Sequence, residues 1–209
     1  MRKVYDSLYY KERGDLRHKM GDNQGAIRDY SKVIKLNPND IENIEIYKRR
    51  AIVKEEIRSY RGARNDLNCA IVTACFNLGN ARYAMGDYQG AIEDYTQAIK
   101  VIPNYAKAYN NRGKARYMLG DYQGAIDDYS QAITLDPDYL YAYNNRGLVR
   151  GELGDKQGAI DDFTQAIKLN PNEAIPYYNR GHVREEMGDY RGATEDYNQA
   201  SLLGIGGKL

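Results

Sequence analysis

Apolar, small and polar positions along this chain follow helical spacing, and the whole pattern returns every 34 residues. In residues 106–139, Tyr109, Gly113 and Arg116 fall at i, i+4 and i+7, one face of a helix expected from Ala106 to Leu119. Gly120-Asp121 closes it, because glycine is the usual residue just past a helix end. Ala125, Tyr129 and Ala132 repeat the spacing on a second helix, about Tyr122 to Leu135. Asp136-Pro137 stops that one, since a residue before proline is pushed out of the α region. Each period thus predicts two antiparallel helices joined by a tight turn. Four columns keep the register: Gly79, Gly113, Gly147 and Gly181; Gly86, Gly120, Gly154 and Gly188; Asp87, Asp121, Asp155 and Asp189; Ala91, Ala125, Ala159 and Ala193. A fixed period of this length means stacked supersecondary units, not one closed globule. Such arrays present extended surfaces that bind partners.

The small residues predict how the helices pack. Gly113 is expected to face the Tyr129 ring, with Ala125 and Ala132 beside it. A glycine inside a helix costs about 1 kcal/mol relative to alanine, and close helix approach offsets that cost.

Between residues 39 and 73 the register fails, and Pro38 to Pro103 spans 65 residues where two periods need 68. The best alignment places Tyr47, Ala51, Ala63, Leu67 and Ala70 in the core slots. The junction Ala70-Ile71-Val72-Thr73-Ala74-Cys75 holds no Gly, Pro, Asn or Asp, so nothing in it reverses the chain cheaply. One reading is a continuous helix from roughly Gly62 to Met85, about 36 Å long. That helix would fuse the second helix of unit two to the first of unit three, so that the N-terminal helices pack differently or exchange with a second chain as a swapped dimer. The other reading is a cramped turn at Val72-Thr73 with ordinary stacking.

Composition narrows the function classes. The 209 residues carry a net charge of +1, which argues against a generic phosphate-binding surface. Tyrosine occurs 21 times against two Phe and no Trp, so Tyr must fill core slots as well as surfaces. Two cysteines give no disulfide framework; Cys75 reads as a small buried hydrophobe in a core slot. No apolar run approaches the ~20 residues of a membrane span, and Met1 to Tyr10 lacks the apolar stretch of a signal peptide. The expectation is a soluble cytoplasmic protein. His18 and His182 lie far apart without metal-ligand spacing, and no Gly-rich phosphate loop or catalytic constellation is evident. Neither cofactor, metal nor enzymatic activity is expected.

Tyr109, Gly113, Ala125, Tyr129, Ala132 and Pro137 resemble the tetratricopeptide repeat pattern, with Tyr in place of the usual Trp. The match recurs through Tyr143, Gly147, Ala159, Phe163, Ala166 and Pro171, through Tyr177, Gly181, Ala193, Tyr197 and Ala200, and through Tyr10, Gly14, Ala26, Tyr30 and Pro38. Gly-Asp-Tyr-Gln-Gly-Ala-Ile at 86–92 and 120–126 is similar to bacterial, notably cyanobacterial, members. The resemblance implies an all-α solenoid of helix–turn–helix units wound as a right-handed superhelix. The units are expected at 1–38, 39–73 (degenerate), 74–105, 106–139, 140–173 and 174–203, followed by a tail at 204–209.

It also implies that one face of each first helix lines a concave groove. Asn77, Asn111, Asn145 and Asn179 repeat there, and Asn offers both a donor and an acceptor to a peptide backbone. The alternative is that these Asn cap or bridge adjacent helices. Neighbouring groove positions vary: Phe76, Asn110, Asn144 and Tyr178; Asn80, Lys114, Leu148 and His182; Tyr83, Tyr117, Gly151 and Glu185; with Lys107 and Tyr141 also facing in. The family's carboxylate clamp is matched by Lys48, Asn77 and Lys107 but not at Ile52 or Asn111. Paired Arg (Arg13/Arg17, Arg112/Arg116, Arg146/Arg150, Arg180/Arg184) and paired acids (Glu93-Asp94, Asp127-Asp128, Asp161-Asp162, Glu195-Asp196) read as an ionic lattice between helices, its exposed pairs worth only ~0–1 kcal/mol each. Three functions follow: an adaptor holding an extended peptide or helix of another protein; a self-assembling protein, its last helix ending at Ala200-Ser201-Leu202-Leu203 without a polar cap; and, against the charge balance, an RNA reader.

Overall fold

The computed structural model describes residues 2–37 and 42–204. Pro38, residues 39–41 at the start of the second unit, and Gly206 and Gly207 of the tail lie outside the described residues. Among the described residues there are eleven helices and no strand: α1 (Arg2–Lys19), α2 (Asn23–Leu36), α3 (Asn43–Glu56), α4 (Tyr60–Ala84), α5 (Tyr88–Val101), α6 (Ala106–Met118), α7 (Tyr122–Leu135), α8 (Leu140–Glu152), α9 (Lys156–Leu169), α10 (Ala174–Glu186) and α11 (Tyr190–Leu202). The protein is an α-solenoid of tandem helix–turn–helix repeats.

The turns show why the helices stop and restart where they do. Gly120 sits at φ +79°, the left-handed region that ends α6. Asp121 follows as the N-cap of α7, its carboxylate accepting from Gly124 N–H at 3.0 Å. The same device opens α2 at Asp22, α9 at Asp155 and α11 at Asp189.

The junction at 70–75 is helical throughout. α4 runs unbroken for 25 residues, roughly 37 Å, starting at Tyr60 rather than Gly62. The cramped turn at Val72-Thr73 is therefore excluded. Thr73 stays in the helix by donating its hydroxyl to Cys69 C=O at 2.8 Å. Cys75 is half-buried, not the buried hydrophobe expected of its core slot.

The chain falls into two compact units, one of Met1–Ala81 with Thr96–Pro103 and one of Arg82–Tyr95 with Asn104–Leu209; the division runs through α4 and α5. In the first, α1 packs on α2 and α2 on α3. In the second, α6/α7, α8/α9 and α10/α11 form hairpins, α7 packs on α8, and α9 on α10. The core repeats with the sequence. A Cβ on Gly113 would lie 2.8 Å from Tyr129 Cε1, and one on Gly147 equally close to Phe163 Cε1, so the ring occupies the space that glycine vacates. Three of the buried rings also meet a valine of the next first helix: Tyr30 with Val53, Tyr129 with Val149, Phe163 with Val183.

Candidate partner-binding groove

Buried ion pairs hold each first helix in place. Arg112 reaches both oxygens of Asp128 through Nε and Nη2 at 2.9 and 2.7 Å, and Arg116 Nη1 adds a bond at 2.9 Å. Arg146 and Arg150 clasp Asp162 in the same way, Arg180 and Arg184 clasp Asp196, and Arg13 and Arg17 clasp Asp29. The first Arg of a pair also reaches back one repeat: Arg146 Nη1 to Ser130 Oγ and Arg180 Nη1 to Thr164 Oγ1, both at 3.0 Å. The expected ionic lattice between helices is thus present, and its inner acids are buried rather than exposed. Asp29, Asp128, Asp162 and Asp196 are buried, and only the outer acids of the doublets (Glu93, Asp127, Asp161, Glu195) face solvent. Arg13 beside it holds the Asp29 carboxyl below the usual range. Asp94, where Leu78 stands in the column of the first Arg, has Arg82 at 3.0 Å. Burial pushes its carboxyl up.

The asparagine ladder stitches repeats together. Asn145 Nδ2 donates to Asn110 Oδ1 at 3.0 Å and Asn179 Nδ2 to Asn144 Oδ1 at 2.9 Å, while Asn110 Nδ2 donates to Asn111 Oδ1 at 3.1 Å. Asn110 and Asn144 are buried. Their expected place among the variable groove positions is corrected, because a buried amide occupied by its neighbour has nothing to offer a partner. Asn145 and Asn179 remain half-buried. Asn111 is half-buried too and bonds Tyr95. Phe76 and Asn77 are half-buried on α4, and the Asn77 Nδ2 atom is buried without a hydrogen-bond acceptor. Lys107 and Tyr141 are exposed at the starts of α6 and α8, away from the hollows described next.

A hollow recurs between successive first helices. One of about 150 Å³ has Tyr129 and Val149 as its floor and Tyr83, Lys114, Tyr117 and Asn145 among its walls. A second, about 200 Å³, is the same site moved on by one repeat: Phe163 and Val183 form its floor, and Gly151, Asn179 and His182 stand where Tyr117, Asn145 and Leu148 stood. Leu148 borders both, and Tyr178 joins the second. The walls differ in chemistry. Lys114 Nζ sits 5.0 Å from the Tyr83 ring centroid, a cation–π contact. The second hollow carries Glu152 and Glu186. The Tyr117 hydroxyl donates to Glu152, which pushes its pKa up to about 12. Glu186 has His182 Nδ1 at 3.8 Å and Lys156 Nζ at 3.4 Å.

The N-terminal unit holds a third copy, about 350 Å³, over Tyr30. Asp15, His18, Arg49 and Ile52 line it, with Arg49 paired to Asp15. None was among the expected groove residues. Carrying the Tyr10 and Tyr47 columns through the first two units would have found them.

Among the described residues no group of three or more His, Cys, Asp or Glu is placed to hold a metal ion. No described helix is long and apolar enough to cross a membrane.

Helical hairpins with a buried ring set into a glycine notch, stacked through first-helix contacts, define a helical-repeat protein. The chain belongs to the tetratricopeptide repeat family. Family profiles described as tetratricopeptide repeat match residues 9–40, 106–139, 140–173 and 174–203, and one described as TPR repeat matches 79–120. A search of curated proteins finds no match at a significant level. Among solved structures, the chain is similar to a crystal structure of MamA at 27% identity and TM-score 0.59, covering 91% of this chain and 93% of that one. It is similar to the first TPR of Spaghetti (RPAP3) bound to the HSP90 peptide SRMEEVD at 25% identity and TM-score 0.55, covering 56% and 93%. The Arabidopsis OM64 TPR domain matches at 29% identity and TM-score 0.56, covering 57% and 98%.

Proposed function

We propose that this protein is a non-catalytic adaptor that holds an extended segment of another protein along the hollows between its first helices. The observation that carries the reading is the recurrence of one hollow, with one floor and changing walls, at successive repeats. A constant floor accepts a side chain, and variable walls choose which one. The hollow walled by Tyr83, Tyr117 and Lys114 suits an apolar or aromatic side chain. The next, bordered by Glu152 and Glu186, suits a cationic one. A relative bound to a peptide, the RPAP3 domain, supports a protein partner. The partner differs from a carboxylate-terminal tail, since Ile52 and Asn111 stand at two clamp positions.

Selection from a random peptide library tests this. The wild-type chain should enrich peptides with an apolar residue followed by Lys or Arg at a fixed spacing. Gly151→Tyr, which fills the second hollow, should abolish the basic preference while keeping the apolar one. No enrichment, or a motif indifferent to Gly151→Tyr, would refute the assignment.

A further inference from the structure

The fused helix separates two columns that pack against one another at Tyr30/Val53, Tyr129/Val149 and Phe163/Val183. Leu67, Ile71, Ala74, Leu78 and Ala81 follow one another at steps of four and three along α4, the spacing of a coiled-coil seam. All five are exposed, Leu67 at 41%, Ile71 at 48% and Leu78 at 47%. Their column-mates in regular repeats are core. Leu67 occupies the place of Tyr129 and Phe163, Ala74 that of Ala108 and Ala142, and Ala81 that of Ala115, Val149 and Val183, all buried. In regular repeats the ring column packs on the valine column of the next first helix. In α4 both columns lie on one rigid rod, fourteen residues and roughly 21 Å apart. Leu67 cannot reach Ala81 of its own chain.

We propose that α4 pairs antiparallel with α4 of a second copy of this chain, about a two-fold axis near Ala74. That register sets Leu67 of each copy against Ala81 of the other, so the contact is made twice and closes on itself. It also sets a large side chain opposite a small one, as interdigitating layers require. The seam does not repel its twin. From Asn65 to Ala81 the one charged residue is Asp66, which is held by Arg50 and Lys54 at 2.7 and 2.9 Å. A strongly charged partner helix would find nothing there to pair with.

Sedimentation equilibrium on the full chain tests the pairing. Wild type should run at twice the 23.8 kDa chain mass. Leu67→Glu, at an exposed position, should run as the single chain with its circular dichroism melt preserved, and so should Ala81→Lys. The double variant should recover the doubled mass, because only the antiparallel register brings the new acid of one copy to the new base of the other. A wild type that stays single at every accessible concentration overturns the proposal and leaves the seam to a helix of another protein. A dimer that survives Leu67→Glu, or a folded double variant that stays single, overturns it as well. Should Leu67→Glu melt early, two further chains replace it, Leu67→Cys and Ala81→Cys, each with Cys69→Ser and Cys75→Ser. Mixed and oxidised, they must give a cross-linked pair, and failure to cross-link counts against the proposal.

Discussion

At Gly113 the backbone of one helix comes so close to the Tyr129 ring that a methyl group would collide with it, whereas at Gly151 a Cβ would meet Val183 Cγ2 and Ala159 Cβ at 3.6 and 3.7 Å, ordinary contact. The two glycines should therefore respond oppositely to alanine. Gly113→Ala removes a helix glycine worth ~1 kcal/mol but overpacks the core at a cost of about 1–3 kcal/mol, so urea unfolding should show a net loss. Gly151→Ala should gain about 0.5–1 kcal/mol. Tyr129→Ala empties the ring site and should cost about 3–5 kcal/mol. Buried Asp29 and half-buried Asp94 differ in sign as well. Arg13 holds the folded-state pKa of Asp29 below the ordinary aspartate value, so its contribution is complete above the ordinary value and is lost as pH falls through the depressed one. Asp94 has its pKa raised, so its charge costs stability at neutral pH, and the cost is relieved as pH falls through the raised value. Denaturation midpoints from neutral pH to pH ~3 should show Asp29→Asn destabilising at neutral pH with the difference shrinking in acid. Asp94→Asn should be tolerated at neutral pH, losing any relative advantage in acid.

Helix boundaries were legible where the chain punctuates itself. α7 runs over Tyr122–Leu135, the span read from Gly120-Asp121 and Asp136-Pro137. The fused helix was legible from an absence, since the junction carries no residue that turns the chain. Its consequence for Leu67 and Ala81 was not, because exposure depends on which helix lies alongside. The capping role of Asp121 was also missed. The residue sits in a repeating column, and only its bond to Gly124 N–H separates a cap from a surface charge. Within the groove, Asn110 and Asn111 are neighbours 100° apart on one helix, and the pattern alone does not say which of them the adjoining first helix will cover. Proline at position 73 probes the element directly. Thr73→Pro in a helix interior should cost about 3 kcal/mol or more and reduce the helical circular dichroism signal. A chain that turned at Val72-Thr73 would accept it with little change.

For the molecule as a whole, the proposed function rests on repetition with variation. The Arg–Asp clasps and the Asn145–Asn110 and Asn179–Asn144 bonds are the constant parts, and they use up the polar groups that a sequence reading would assign to ligands. On the proposed reading, recognition falls to the positions that change from repeat to repeat: Lys114, Leu148 and His182; Tyr83, Tyr117 and Gly151; Met118, Glu152 and Glu186. Reversing the wall charge should reverse the preference. Glu152→Lys should lower affinity for a selected basic peptide at least tenfold, read by fluorescence anisotropy, because it places a cation beside a cation. The most direct measurement is hydrogen exchange on the wild-type chain with and without such a peptide. The account predicts slowed exchange in α6, α8 and α10 around residues 114–117, 148–151 and 179–182, with α7, α9 and α11 unchanged on their outer faces. Protection confined to the outer faces of those second helices would contradict it.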